Sequence, residues 1–132
     1  MSAKRLIACE LEVRWRDLDA FNHVNNQQFL GYIEEARVRW FRQLIGDWSQ
    51  TEVLPIVAAI TMNYRRPIEW PETVRVELFA ERVGGKSLTV GHRIVSSKDE
   101  GMVYGDGNTV LVWIDKAGQT VPLPAGILAA CN

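Results

Sequence analysis

The chain has 132 residues, 47% of them hydrophobic and 23% charged, and its 15 basic and 16 acidic side chains leave a formal net charge of -1. That length fits one domain, 1–132, with a core of its own. The average composition excludes collagen-like, coiled-coil and disordered chains, and near-neutrality removes any general electrostatic reason to bind nucleic acid or a membrane. Cys9 and Cys131 stand at opposite ends without metal or redox spacing and read as reduced thiols. No apolar run approaches the ~20 residues of a membrane span, and no signal-peptide core follows the first five residues. A cytoplasmic protein is expected.

In chain order, Leu11-Glu-Val-Arg-Trp-Arg16 alternates apolar and charged residues, which predicts a half-buried strand from about Arg5 to Arg16. The alternation stops at Asp17, and a polar loop runs to Asn26. Phe29, Ile33, Ala36, Trp40 and Leu44 then recur at helical spacing, with Phe41 widening the stripe. Asn25 or Asn26 can cap this helix and Gly46 can end it, giving a helix over Asn26–Ile45. Strands follow at Ile56–Tyr64, around Val74–Leu78, through Leu88, Val90, His92 and Ile94, and at Met102–Asp115. Gly84-Gly85 and Lys98–Gly101 mark turns, Gly105 and Gly107 a bulge or close backbone approach, and Leu123–Ala130 a short terminal helix. One long helix beside a five-stranded, mostly antiparallel sheet is an α+β arrangement. A single helix covers only one face of such a sheet, so pairing into a homodimer or homotetramer is expected.

The reactive side chains gather in Asp17-Leu-Asp-Ala-Phe-Asn-His-Val-Asn-Asn26, a loop that opens directly into the long helix. A helix start collects unpaired backbone N–H groups and positive dipole, which can hold an anion or polarise a carbonyl. A carboxylate and an imidazole just upstream can supply base or nucleophile. These residues also cap and turn chains routinely, so on chemistry alone a hydrolytic or acyl-binding site and a purely structural loop both stand. His92, on the apolar Leu88/Val90/Ile94 face, reads as a core or interface histidine. No metal-ligand spacing occurs, the absence of Gly-x-Ser-x-Gly excludes an α/β-hydrolase route, and no Gly-rich phosphate loop appears, so neither metal nor cofactor is expected.

The segment from Trp15 to Arg37, with Asp17-Leu-Asp19, His23-Val-Asn-Asn26 and Glu34-Glu-Ala-Arg37, closely resembles the signature of hot-dog-fold, 4-hydroxybenzoyl-CoA thioesterase-like acyl-CoA hydrolases. Asn63-Tyr-Arg-Arg-Pro67 and Val112-Trp-Ile-Asp115 resemble later strands of the same family. The resemblance implies a hot-dog fold, one helix wrapped by the sheet, and hydrolysis of an acyl-CoA (or acyl-ACP) thioester. It matches Asp19 to the family's catalytic carboxylate and His23 to a histidine that assists acid–base chemistry. Asn25 and Asn26 match ligand-positioning asparagines, and backbone N–H groups from Val24 through Gln27 to Gln28 would form the oxyanion hole. Arg65 and Arg66, with Arg82 and Lys86, are candidates to meet CoA phosphates. Phe21 stands where the acyl-ACP branch has Asn, and Asn26 where another branch has His. The alternatives are a non-catalytic acyl-CoA sensor or carrier, of which sensors usually add a DNA-binding domain, and a hot-dog hydratase, whose loop is one residue longer.

Overall fold

The computed structural model describes residues 3–132; Met1 and Ser2, at the head of the stretch read as lacking a signal peptide, lie outside them. The elements are β1 (Lys4–Glu12), α1 (Asn26–Ile45), β2 (Leu54–Tyr64), β3 (Thr73–Val83), β4 (Ser87–Ser96), β5 (Asp99–Ile114), β6 (Thr120–Val121) and α2 (Ala125–Cys131). The sheet is antiparallel in the order β1-β3-β4-β5-β2, with β6 adding two residues against β5. The expected five strands are all present and β6 is the sixth.

The first strand is shorter than its alternation suggests. Val13 still donates to the Glu72 carbonyl at 2.9 Å, but the Arg14 amide turns to the Asp17 carboxylate, also at 2.9 Å, and Trp15–Asp17 curls into a 3-10 turn. A side-chain acceptor three residues on thus outcompetes the sheet ladder.

Helix α1 has the expected bounds. The Asn25 side chain accepts from the Gln27 amide at 3.0 Å, so Asn25 and not Asn26 is the cap, and Gly46 ends the helix at φ 76°. Phe29, Ile33, Ala36 and Trp40 are buried as their spacing requires, joined by Tyr32 and Arg37. Leu44, part of the same stripe, is 40% exposed.

The helix-facing side of the sheet carries Val74, Val76 and Leu78 of β3, Leu88, Val90 and Ile94 of β4, and Leu111 and Trp113 of β5, all buried. This continuous apolar layer supplies most of the driving force for folding. The opposite face mixes apolar residues, among them Phe79, Val110 and Val112, with ion pairs. Glu77 sits between Arg5 at 3.4 Å and Arg93 at 3.0 Å, and Asp106 pairs with Arg65 at 3.1 Å.

The helix lies off centre, packing on β1, β3 and β4. The far edge, β2, is therefore left uncovered: Leu54, Ile56, Val57, Ile60 and Tyr64 are each at least 40% exposed. Gly105 and Gly107 serve both expected purposes. Tyr104 is an extra residue in the β4–β5 pairing beside Gly105, and at Gly107 the β2 backbone comes too close for any side chain.

Candidate active site

The loop before α1 is a tight hairpin. Leu18 and Val24 pair across it, the Asp19 amide donates to the His23 carbonyl at 3.0 Å, and the Asn22 amide returns to the Asp19 carbonyl at 3.1 Å. Closing so short a loop needs one left-handed residue, supplied by Asn22 at φ 63°, a conformation Asn tolerates better than most side chains. Asp19 is held half-buried in the first position of this turn. One oxygen, Oδ1, accepts from the Phe21 amide at 2.9 Å. Among the described residues the other has no partner.

The two acids of Asp17-Leu-Asp19 thus have different fates. Asp17 is 2% exposed and takes hydrogen bonds from the Tyr32 hydroxyl at 2.8 Å, the Arg14 amide at 2.9 Å and the Arg14 guanidinium at 3.2 Å. Burial pushes its pKa up, but these donors outweigh burial and hold the carboxyl below the usual range. Its carbonyl also accepts the Asn25 amide at 2.9 Å. Asp17 is the fastener that fixes the hairpin to the start of α1.

Asp19, His23, Val24, Asn26, Phe29, Tyr64, Arg65, Arg66 and Pro67 surround one cleft of about 400 Å³. Residues far apart in sequence meet here because the Val24 amide bonds the Ile68 carbonyl at 2.9 Å, and the Tyr64 hydroxyl donates to the Asn26 carbonyl at 3.3 Å. Tyr64, Phe29 and Pro67 had no signal beyond ordinary strand, stripe and turn roles. Phe29 and Tyr64 stack edge-on with ring centroids 5.0 Å apart.

The five amides from Val24 to Gln28 are not equivalent. Val24 donates to Ile68, Asn25 to Asp17, Gln27 to the Asn25 side chain and Gln28 to the Asn25 carbonyl. Asn26 alone, among these, has no acceptor among the described residues. The Gln27 and Gln28 side chains lie outside the cleft; Gln28 lines a separate hollow with Glu10, Tyr32 and Arg39 on the β1 side. Arg65 is engaged by Asp106 through Nε and Nη2 at 3.1–3.3 Å, which limits its freedom to meet a phosphate. Arg66 has no carboxylate partner among the described residues. Arg82 and Lys86 belong to the β3–β4 hairpin end and are not in the cleft.

His92 is a core histidine, as its apolar face suggests. Nε2 reaches across Gly107 to the Thr61 carbonyl at 3.1 Å, while Nδ1 is buried without a partner. Burial, the dominant cause, pushes its pKa from 6.5 down to about 4, and the Arg37 charge adds to the shift. The unfolded chain therefore binds the extra proton between about pH 6.5 and 4. Stability from this site is complete above pH 6.5 and is lost as pH falls toward 4. Lowering the pH from 7 to 4.5 should cost about 2 kcal/mol through His92. Urea unfolding midpoints across that range check it: the slope should shrink in His92→Gln, and an unchanged slope would refute the assignment.

Among the described residues, no group of three or more His, Cys, Asp or Glu side chains is arranged to hold a metal ion. No helix among them is long and apolar enough to cross a membrane.

Residues 13–131 match the model of the thioesterase-like superfamily. Long-chain acyl-CoA thioesterase FadM of Escherichia coli (strain K12) is 30% identical over 110 residues, covering 80% of this chain and 81% of that one. The PA2801 protein of Pseudomonas aeruginosa superposes with a TM-score of 0.93 at 38% identity, over 98% of this chain and 100% of that one. A thioesterase from Thermus thermophilus, solved in complex with coenzyme A and Zn, is 34% identical with a TM-score of 0.82, covering 96% and 92%. An exposed-edge antiparallel sheet around one long helix, a polar hairpin at that helix's start and this match along nearly the whole chain agree. The chain belongs to the thioesterase-like superfamily, has the hot-dog fold and is a thioester hydrolase of that family.

Proposed function

We propose that this protein hydrolyses acyl-CoA thioesters, with Asp19 as the reacting carboxylate and the Asn26 amide as oxyanion donor. The observation that carries the reading is the pairing of a half-free carboxylate with the one uncommitted amide of the helix start, on the walls of a single cleft. A carbonyl seated between them would meet a nucleophile or base on one side and an N–H at the positive end of α1 on the other. Two routes use the same atoms. In one, the free Asp19 oxygen attacks the thioester carbon, the C–S bond breaks, and water then cleaves the resulting anhydride. In the other, Asp19 takes a proton from water as that water attacks. His23, on the same cleft, is the group that returns a proton to the departing thiolate. Asn25 acts indirectly, by capping α1, and Arg66 offers its charge at the mouth. An acyl-ACP substrate would present the same thioester to the same groups.

Thiol release from a panel of acyl-CoAs tests the reading, with Asp19→Asn as the comparison; hydrolysis that survives the substitution would sink it. In single-turnover hydrolysis in ¹⁸O-water, label on Asp19 marks direct attack with water opening the anhydride at the Asp19 carbonyl, because the general-base route places the water oxygen only in the product acid.

The working unit in this reading is at least a homodimer. Strand β2 pairs with β5 on one side only, and its eleven residues are almost all exposed. A long apolar edge strand left open in water is an aggregation hazard, and pairing removes it. A second copy, edge to edge, is the self-complementary solution. It would also roof the groove of about 390 Å³ between the far end of α1 and β2, walled by Val38, Phe41, Ile45, Trp48, Leu54 and Val57. That groove continues the α1–β2 seam that starts at Asn26 and Tyr64, and it is the seat for the acyl chain. Val57→Asp, at the middle of the edge, should shift the protein to monomer in sedimentation and lower hydrolysis about tenfold or more. A monomeric wild type of full activity would overturn this part.

A further inference from the structure

Most of the exposed large apolar side chains fall into two groups. One is the β2 edge with the end of α1. The other is aromatic: Trp15 at 70%, Phe21 at 81%, Tyr64 at 48% and Trp70 at 48% exposed, on the two segments that wall the Asp19 cleft. Large aromatics left in water beside a site mark a contact surface rather than a folding need. Trp15 and Trp70 do more than border the site. They line a second hollow of about 540 Å³, together with Arg14, Pro71, Glu72 and Lys98. Both indoles line this hollow and form no ring–ring contact with each other among the described residues, which leaves their faces for another partner.

The hollow adjoins the cleft through the chain itself. Trp15 is four residues from Asp19 and Trp70 three from Pro67, so their Cα atoms lie within about 14 Å and 11 Å of those of the cleft residues. Its charges are sorted. Arg14 is held by Asp17 at 3.2 Å, and Glu72 accepts from the Tyr104 hydroxyl and the Thr73 amide. Lys98, in the β4–β5 turn, has no carboxylate partner among the described residues. A hollow of nucleotide size with two aromatic walls and one free ammonium suits a purine carrying a phosphate.

We infer that the Trp15–Trp70 hollow is the seat of the nucleotide end of coenzyme A, with adenine against the indoles and the 3′-phosphate at Lys98. The inference rests on the acyl-CoA reading above and moves the 3′-phosphate from Arg65, which is engaged by Asp106, to Lys98. Because Glu72 and a further carboxylate, Glu12, balance the two cations of the hollow, stacking carries the affinity and Lys98 carries the preference for the phosphate. Binding should accordingly depend only weakly on salt.

Calorimetric titration of the full chain with CoA, 3′-dephospho-CoA and pantetheine tests this, in wild type, Trp15→Ala, Trp70→Ala and Lys98→Gln. All three positions are at the surface, and circular dichroism verifies the fold. Each tryptophan variant should weaken CoA about five- to fiftyfold while pantetheine changes less than about twofold. Lys98→Gln should erase a preference of about threefold for CoA over its dephospho form. Equal weakening of CoA and pantetheine, or unchanged CoA affinity in both tryptophan variants, would overturn the inference. Hydrolysis of acyl-pantetheine, compared with Asp19→Asn, is read separately. Its loss in wild type would count against the catalytic reading, and normal hydrolysis without a nucleotide effect would count against the hollow alone.

Discussion

Asp19→Asn should abolish thioester hydrolysis, lowering kcat by about a thousandfold or more, while the protein folds with unchanged stability. The separation follows from how the carboxylate is held. Its structural duty is one hydrogen bond, from the Phe21 amide to Oδ1, and an asparagine carbonyl oxygen can accept that bond equally well. What the amide cannot supply is a second oxygen able to attack carbon or take a proton from water. Asp17→Asn is the mirror case. Asp17 is 2% exposed and its two oxygens accept from the Arg14 amide, the Tyr32 hydroxyl and the Arg14 guanidinium. An NH₂ group in place of one oxygen must face a donor, so that substitution should cost about 2–3 kcal/mol of stability. Steady-state thiol release and urea unfolding on both variants read the two effects. A large loss of stability in Asp19→Asn, or a neutral Asp17→Asn, would reverse the roles assigned to the pair.

Gly107→Ala should be the most destabilising single methyl in the sheet. An added Cβ at this position would lie 1.9 Å from the Thr61 carbonyl oxygen and 3.0 Å from His92 Nε2, with φ at 155°. Neither neighbour yields cheaply. The first is backbone of β2, and the second is a ring whose one hydrogen bond goes to that same carbonyl. The alanine must push β2 away from β5 and strand His92 without its partner, a cost of about 3 kcal/mol or more. A fall in Tm of roughly 10 °C is expected, with hydrolysis reduced because Tyr64 ends β2 and lines the cleft. Gly85→Ala is the control, since nothing lies within 4 Å of its added Cβ. A Gly107→Ala protein as stable as Gly85→Ala would show that the β5–β2 spacing is not set there.

Much of this molecule is legible along the chain. The Asn26–Ile45 helix announces itself because Phe29, Ile33, Ala36 and Trp40 repeat at its period and Gly46 stops it. The strands after Pro55 follow from alternation and from glycine and proline at their ends. The reactive loop stands out because two acids, a histidine and three asparagines crowd immediately before a helix start. Other features depend on distant partners. Alternation extends β1 to Arg16, yet the chain leaves the sheet after Val13 because Asp17 captures the Arg14 amide. Arg37 looks like a surface residue by charge and is 8% exposed. Its place, four residues after Ile33 and three before Trp40, puts it beside the buried stripe, so position outweighs charge here.

Sequence by itself thus determined the element types, the fold class and which loop is proposed to react, because hydrophobic period, capping chemistry and motif spacing are local properties. Only the tertiary structure decided which acid is buried and which is free, and which amide of the helix start remains uncommitted. It also decided that Arg65 is tied to Asp106 while Trp15 and Trp70 share one hollow. Each of those outcomes is a competition among hydrogen-bond acceptors and packing surfaces supplied by residues such as Ile68, Tyr32 and Asp106, many positions away. Such competition is settled by spatial neighbours, and it leaves no periodic trace in the chain.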